Sequence, residues 1–123
     1  MSASTLKSSI NRQSPEFQKN SRHVIELLTA FKNQEELICQ GGGAKAIESQ
    51  HKKGRLTARE RIAKLSDPGT HFFELSRFAA FEMYEEWGGA PSAGTITGLA
   101  RICGRLFMVI ANDATVKAGA FSP

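Results

Sequence analysis

The chain is short of the features that define several classes of protein. It has two cysteines, Cys39 and Cys103, and they do not form a Cys-x-x-Cys pair. A structural zinc site therefore has no ligand set. One disulfide is the most the chain can make, which does not amount to a secreted disulfide scaffold, so a reducing compartment is the expectation. No apolar run approaches the ~18 residues of a membrane span. The N-terminus lacks the apolar core of a signal peptide. It is Ser-rich with Lys7 and Arg12, as mitochondrial transit peptides are, but Glu16 soon interrupts it. A plain cytoplasmic N-terminus is the favoured reading. His23, His51 and His71 share no metal-ligand or triad spacing and are expected to be structural or exposed. There is no internal repeat.

What is present suits one modest domain. In 123 residues, 41% are hydrophobic, and 16 Lys and Arg face 12 Asp and Glu for a net charge of +4. Mild basicity fits a phosphate-bearing ligand, an RNA partner, or a piece of a larger neutral protein. Residues 1–15 have no apolar period and are expected to be disordered. From Glu16, Phe17, Val24, Leu27, Leu28 and Phe31 recur at helical steps, extended by Leu37 and Ile38. Gly41-Gly42-Gly43 should end that helix. Ala44–Lys53 reads as a second helix closed by Gly54. Thr57-Ala58-Arg59-Glu60 is a capping box opening a third, which Ser66-Asp67-Pro68-Gly69 stops. His71–Leu75 and Phe78–Met83 are short strand candidates, and Glu82 to Gly89 reads as an exposed loop. Thr95–Ile102 and Arg105–Ala111 are the clearest strands, joined by a two-residue turn at Cys103-Gly104. The first alternates loosely. The second is almost continuously apolar and predicts a strand covered on both faces.

Three constellations carry candidate chemistry. The first is basic: Lys45, Lys52, Lys53, Arg55, Arg59, Arg61 and Lys64 lie against only Glu48 and Glu60. Cations at a helix start suit phosphate, because guanidinium groups and free N–H groups both favour anions there. A solvated helix face explains the same cluster. No aromatic residues interleave with these cations, so no platform for stacking RNA bases is visible. The second is Asn112-Asp113-Ala114-Thr115-Val116-Lys117, where Asn112 and Asp113 suit turn hydrogen bonds and Lys117 is either an exposed cation or a phosphate contact. The third is Ala118-Gly119-Ala120. Such a loop can present backbone N–H groups to an oxygen that gains negative charge, although small residues also serve close packing.

Six blocks, in this order and spacing, resemble a known family: Gly41-Gly42-Gly43-Ala44-Lys45-Ala46, Gly54 to Ile62, Asp67-Pro68-Gly69, Phe73-Glu74-Leu75-Ser76, Gly94-Thr95-Ile96-Thr97-Gly98 and Ala111 to Lys117. They resemble the opening of carboxyltransferase (beta) subunits of biotin-dependent acyl-CoA carboxylases. The Ala111–Lys117 block is most similar to the methylcrotonoyl-CoA branch. Propionyl-CoA members tend to carry Asp-Phe-Thr-Val there, and the geranyl-CoA branch is close. The acetyl-CoA type with a four-cysteine zinc ribbon is disfavoured by two cysteines. Members often carry Gly-Gly where this chain has Ala118-Gly119, and aromatic residues where it has Phe121-Ser122.

The resemblance implies an α/β fold: the N-terminal part of a crotonase-like (ClpP/crotonase) carboxyltransferase domain, with helices over 16–66 followed by a β-hairpin and strands over 71–111. Residues 16–123 would then be an incomplete domain of a subunit several times longer, and inactive alone. The implied reaction moves a carboxyl group from carboxybiotin to an acyl-CoA, with 3-methylcrotonyl-CoA favoured. The implied cofactor is biotin carried by a partner subunit, with a coenzyme A thioester as substrate and no metal. The implied partners are a biotin carboxylase/biotin carrier alpha subunit and further copies of the beta subunit, with neither nucleic acid nor membrane. Consistent with biotin on a partner, the chain has no Ala-Met-Lys-Met attachment site and no glycine-rich ATP loop. By the same resemblance the Lys117–Ala120 loop lies beside coenzyme A. Gly119 and Ala120 would supply catalytic backbone N–H contacts, while Arg55, Arg59, Lys117 and Ala118 would contact coenzyme A. The location implied is bacterial cytoplasm, or the mitochondrial matrix. Two other readings of the residues stay open here: a small basic module that binds RNA or an acidic protein, and an interaction protein whose strand edge dimerises.

Overall fold

The computed structural model describes residues 5–120. The first four residues of the expected disordered segment 1–15, and the Phe121-Ser122 departure from the family, lie outside the described residues. The chain divides into two compact units, Met1–Asn33 and Gln34–Pro123.

Helix α1 (Pro15–Cys39) begins in the first unit and ends in the second. Its start is set by Ser14, whose Oγ accepts from the Phe17 N–H at 3.2 Å. Proline suits the first helical position, where its missing N–H has no intrahelical partner to lose. The apolar stripe read from the sequence is there, but it stays wet: Val24, Leu27, Leu28 and Phe31 are exposed, and Ile38 alone on this helix is buried.

The second unit is built on two short helices and a small sheet. Helix α2 (Ala44–Lys52) follows the glycine run and closes at Lys53-Gly54. Helix α3 (Ala58–Leu65) carries the expected capping box. The Thr57 hydroxyl accepts from the Glu60 N–H at 3.3 Å, and Glu60 Oε2 accepts from the Thr57 N–H at 2.7 Å. Both carboxylate oxygens of Glu60 also lie 3.0 Å from His51 Nε2. Hydrogen bonds from His51 and then from the Thr57 backbone lower the Glu60 pKa below its ordinary 4.5. A carboxylate with a depressed folded pKa stabilises the fold above its unfolded pKa and loses that contribution as pH falls through the folded value. We therefore expect the start of α3 to loosen as pH falls below 4.5, with Glu60→Gln abolishing this part of the pH dependence in acid titrations monitored by circular dichroism.

Strands β1 (Phe73–Leu75), β2 (Thr95–Ile102) and β3 (Arg105–Asn112) form an antiparallel sheet in the order β1-β2-β3. The hairpin register runs from Thr95 opposite Asn112 to Ile102 opposite Arg105. Its turn is the one expected, with positive φ at Cys103 and Gly104. The turn is also clamped from outside. Asp67 Oδ1 and Oδ2 accept from the Cys103 and Gly104 N–H groups, each at 2.7 Å, and the Asp67 N–H donates to the Arg101 carbonyl at 2.8 Å. The aspartate that ends α3 thus ties the helix to the hairpin tip.

The core is small. Ala58 and Ile62 of α3 pack on Ile96 of β2, joined by Phe72, Val109 and Ala111. Ile96 and Ile62 are almost fully buried, and each contributes roughly 1.5–3 kcal/mol by leaving water.

One strand expectation differs from what is observed: Phe78–Met83 is not a strand. The Ala79, Phe81 and Met83 N–H groups donate to Ser76, Phe78 and Ala80 carbonyls, so successive turns use the donors a ladder would need. Among the described residues, strand β3 is the edge of the three-stranded sheet, and Leu106, Phe107, Met108 and Ile110 are 47–70% exposed. Conversely, β2 alternates strictly, with Ile96, Gly98 and Ala100 turned inward.

Candidate functional site

The end of β3 leads into an elbow that the glycine run embraces. The Asp113 N–H continues the sheet by donating to Gly94 at 2.9 Å. Asp113 Oδ1 then accepts from the Thr115 N–H at 2.9 Å and the Thr115 hydroxyl at 2.6 Å. The Thr115 hydroxyl oxygen in turn accepts from the Gly42 N–H at 3.0 Å. Asp113 and Thr115 are both buried. The turn hydrogen bonds read for Asp113 are therefore real, and they form one chain of bonds reaching back 73 residues to Gly42. No Cβ fits at Gly41 or Gly42. One added at Gly41 would lie 2.6 Å from Asp113 Oδ2, and one at Gly42 would overlap the Thr115 carbonyl.

Beyond the elbow the chain makes a tight turn over Lys117–Gly119. Lys117 Nζ sits over two rings, 5.8 Å from the centroid of Tyr84 and 5.6 Å from that of Trp87. Both Gly119 and Ala120 have their N–H groups engaged inside the turn, donating to Val116 at 2.8 Å and Lys117 at 3.1 Å. They reach an external oxygen only when this turn opens. Lys117 and Ala118 adopt positive φ, 45° and 56°. The left-handed conformation costs a non-glycine residue roughly 1–2 kcal/mol. We expect Ala118→Gly to stabilise the chain by about 0.5–1 kcal/mol, the relief of strain less the added freedom of the unfolded chain. Urea unfolding of the two chains checks this.

The basic cluster resolves into members with different roles. Arg59 is held by the buried Glu74 carboxylate through both terminal nitrogens, at 2.5 and 2.8 Å. Glu74 also accepts from Arg77 Nε at 3.2 Å, and Arg77 Nη1 donates to Glu35 at 2.9 Å. Burial by itself would lower the Arg59 pKa, but the hydrogen bonds and charge of Glu74, helped by Cys39 and Asp113, outweigh it and raise the value. Arg59 is thus committed to joining α3 to β1, and with Cys39, Gln40, Ile47, Thr57, Asp113 and Thr115 it lines a small cleft behind the elbow. Arg55 is exposed, and no ion pair holds it among the described residues. Lys52 pairs with Glu48 on the surface of α2. No local pattern marks Glu74, Tyr84 or Trp87 as partners of the candidate residues, because each contact spans 15 residues or more.

Both cysteines are free thiols. No helix among the described residues is long and apolar enough to cross a membrane.

An α/β unit of leading helices, an antiparallel hairpin and a small-residue loop after its last strand defines the class. Residues 49–123 match the Carboxyl transferase domain, and the chain belongs to that family. Over 121 residues it is 43% identical to the probable mitochondrial methylcrotonoyl-CoA carboxylase beta chain of Drosophila melanogaster, covering 98% of this chain and 21% of the relative. In three dimensions it is similar to the beta subunit of geranyl-CoA carboxylase from P. aeruginosa, with a TM-score of 0.81 and 28% identity over 94% of this chain and 21% of that one. It is also similar to transcarboxylase 12S, solved as a hexamer with methylmalonyl-coenzyme A bound. That likeness has a TM-score of 0.68 and 32% identity over 76% of this chain and 18% of the other. The fold is that of crotonase-like carboxyltransferase domains, helices followed by antiparallel strands, as expected. The chain spans about a fifth of the length of these relatives. A free-standing RNA- or protein-binding module is set aside by the family match. Relatives named as mitochondrial and bacterial both occur.

Proposed function

We propose that the chain forms one wall of an acyl-CoA carboxyltransferase site, in a beta subunit that carboxylates 3-methylcrotonyl-CoA. The observation that carries this reading is the family match over residues 49–123, which runs through the elbow and the Lys117–Ala120 loop. Residues 16–123 are read as an incomplete crotonase-like domain, which does not catalyse transfer by itself.

In this reading the loop lies along the coenzyme A thioester. Lys117 and the exposed Arg55 answer the phosphates, as cations suited to anionic oxygens. Arg59 contributes through the scaffold, since Glu74 already occupies its guanidinium. Ala118 offers little bulk, so the pantetheine arm can run close to the backbone. Gly119 and Ala120 supply N–H donors to the thioester oxygen when the turn opens, and the elbow below it stays fixed by Asp113 and Thr115. A donor of that kind acts on the negative charge that develops as the enolate forms, and its loss costs about 3 kcal/mol of the barrier. Carboxybiotin, delivered on a partner alpha subunit, supplies the carboxyl group. The remaining wall comes from other parts of the beta subunit or from further copies of it. The compartment is bacterial cytoplasm, with the mitochondrial matrix as the second reading.

The test is a chimera in which residues 1–120 replace the matching fifth of the Drosophila relative, assembled with its biotin-bearing partner. We expect carboxylation of 3-methylcrotonyl-CoA, with kcat/KM for propionyl-CoA lower by about tenfold or more. A chimera that assembles but carboxylates no acyl-CoA contradicts the reading. One that prefers propionyl-CoA removes only the choice of acyl group.

A further inference from the structure

We infer that Tyr84 and Trp87 are positioning residues for Lys117. The two rings form a rigid aromatic seat that holds the lysine ammonium ready for the phosphates of coenzyme A. The inference rests on the coenzyme A contact proposed above for Lys117 and adds two residues that nothing in the sequence tied to it.

The geometry is specific. The rings stack with centroids 6.4 Å apart and planes inclined by 19°, and Lys117 Nζ lies within 6 Å of both. That is the range in which a ring face attracts a cation. The seat is built by a tight turn: the Tyr84 carbonyl accepts from the Trp87 N–H at 3.0 Å and the Gly89 N–H at 2.9 Å. Both sides of the contact sit in left-handed backbone, Tyr84 at φ 59° on one side and Lys117 and Ala118 on the other. Non-glycine residues persist there when surrounding contacts over-determine them, and such residues gather at ligand clamps. Glu82, Glu85 and Glu86 lie on the same loop, yet among the described residues none forms an ion pair with Lys117. The rings, not a carboxylate, hold the ammonium.

This distinction has a chemical consequence. A carboxylate would neutralise the lysine and compete with an incoming phosphate. A ring face leaves the positive charge intact and takes one side of the ammonium, so its remaining N–H donors face outward. A free lysine also loses rotamer freedom when it grips an anion, whereas one already seated has lost that freedom beforehand. Trp87 itself is 68% exposed and takes no part in the small core that α3 and β2 form among the described residues.

The chimera described above, assembled with its biotin-bearing partner, is the protein tested, and binding is measured by equilibrium dialysis of labelled coenzyme A. We expect saturable binding. Lys117→Met and Trp87→Ala should each weaken coenzyme A about three- to tenfold, and the double substitution should weaken it no further than Lys117→Met alone, the mark of a shared interaction. Trp87→Phe, which keeps a ring face, should bind within about twofold of the unsubstituted chain. Trp87 lies outside the core, and far-UV circular dichroism confirms that each variant retains its helices. Binding that is unchanged in Trp87→Ala, or losses that multiply in the double variant, overturns the positioning role and leaves the coenzyme A reading standing. No binding of coenzyme A to the assembled chimera overturns both.

Discussion

Gly42→Ala is expected to cost about 3 kcal/mol of stability, at the upper end of what overpacking usually costs, and to detach the elbow from the glycine run. A Cβ at this position would overlap the Thr115 carbonyl oxygen, and the next contact is the Thr115 carbonyl carbon at 2.6 Å. Both are backbone atoms, so no side-chain rotation relieves the clash. The Gly42 N–H would also lose the Thr115 hydroxyl that accepts it. Thr115 in turn holds Asp113, and the loop carrying Lys117 begins two residues later. The damage should therefore reach the proposed coenzyme A contact. Urea unfolding measures the loss, and amide exchange at Asp113–Val116 should accelerate well beyond the average of the chain. An alanine chain as stable as the parent would mean that the glycine run does not pack on the elbow.

The second large effect is expected at Glu74. Its side chain is 2% exposed and takes three donors from two arginines. Glu74→Ala leaves Arg59 and Arg77 without their shared anion. Removing one partner of a buried pair costs roughly 3–5 kcal/mol, and the lower end applies because each arginine keeps about a quarter of its side chain in water. Glu74→Gln keeps hydrogen-bond acceptance but not charge and should cost less. The double substitution Arg59→Met with Glu74→Leu should recover most of the loss, since well-packed apolar replacements of buried ion pairs are often neutral. Denaturant midpoints of the four chains decide this. Equal losses in the single and double variants would show that the pair contributes little beyond its packing.

These two positions also mark where the sequence was legible. Local codes read correctly. The Thr57–Glu60 capping box, the Cys103-Gly104 turn and the hairpin strands each depend on residues a few positions apart, and the structure has all of them. Long-range partners were invisible. The glycine run reads as a helix stop, and it is one, but its second role depends on Thr115, 73 residues away. Asp67 reads as turn chemistry, while its carboxylate clamps a hairpin 36 residues on. Arg59 reads as a phosphate ligand because it lies among cations, and only the fold brings it to Glu74. The Phe78–Met83 segment is apolar enough for a strand, but its successive turns leave no donors for a ladder. Ala118 sits at φ 56°, where glycine would be unstrained.

The claim on which the account depends is that coenzyme A lies against the loop after the elbow. Hydrogen–deuterium exchange of the chimera, with and without a saturating acyl-CoA, tests it most directly. Slowed exchange is expected, confined within this chain to the amides of residues 113–120 and the turn at Tyr84–Gly89, with β1 unchanged. Protection elsewhere in the assembled subunit, with no change at residues 113–120, would contradict it.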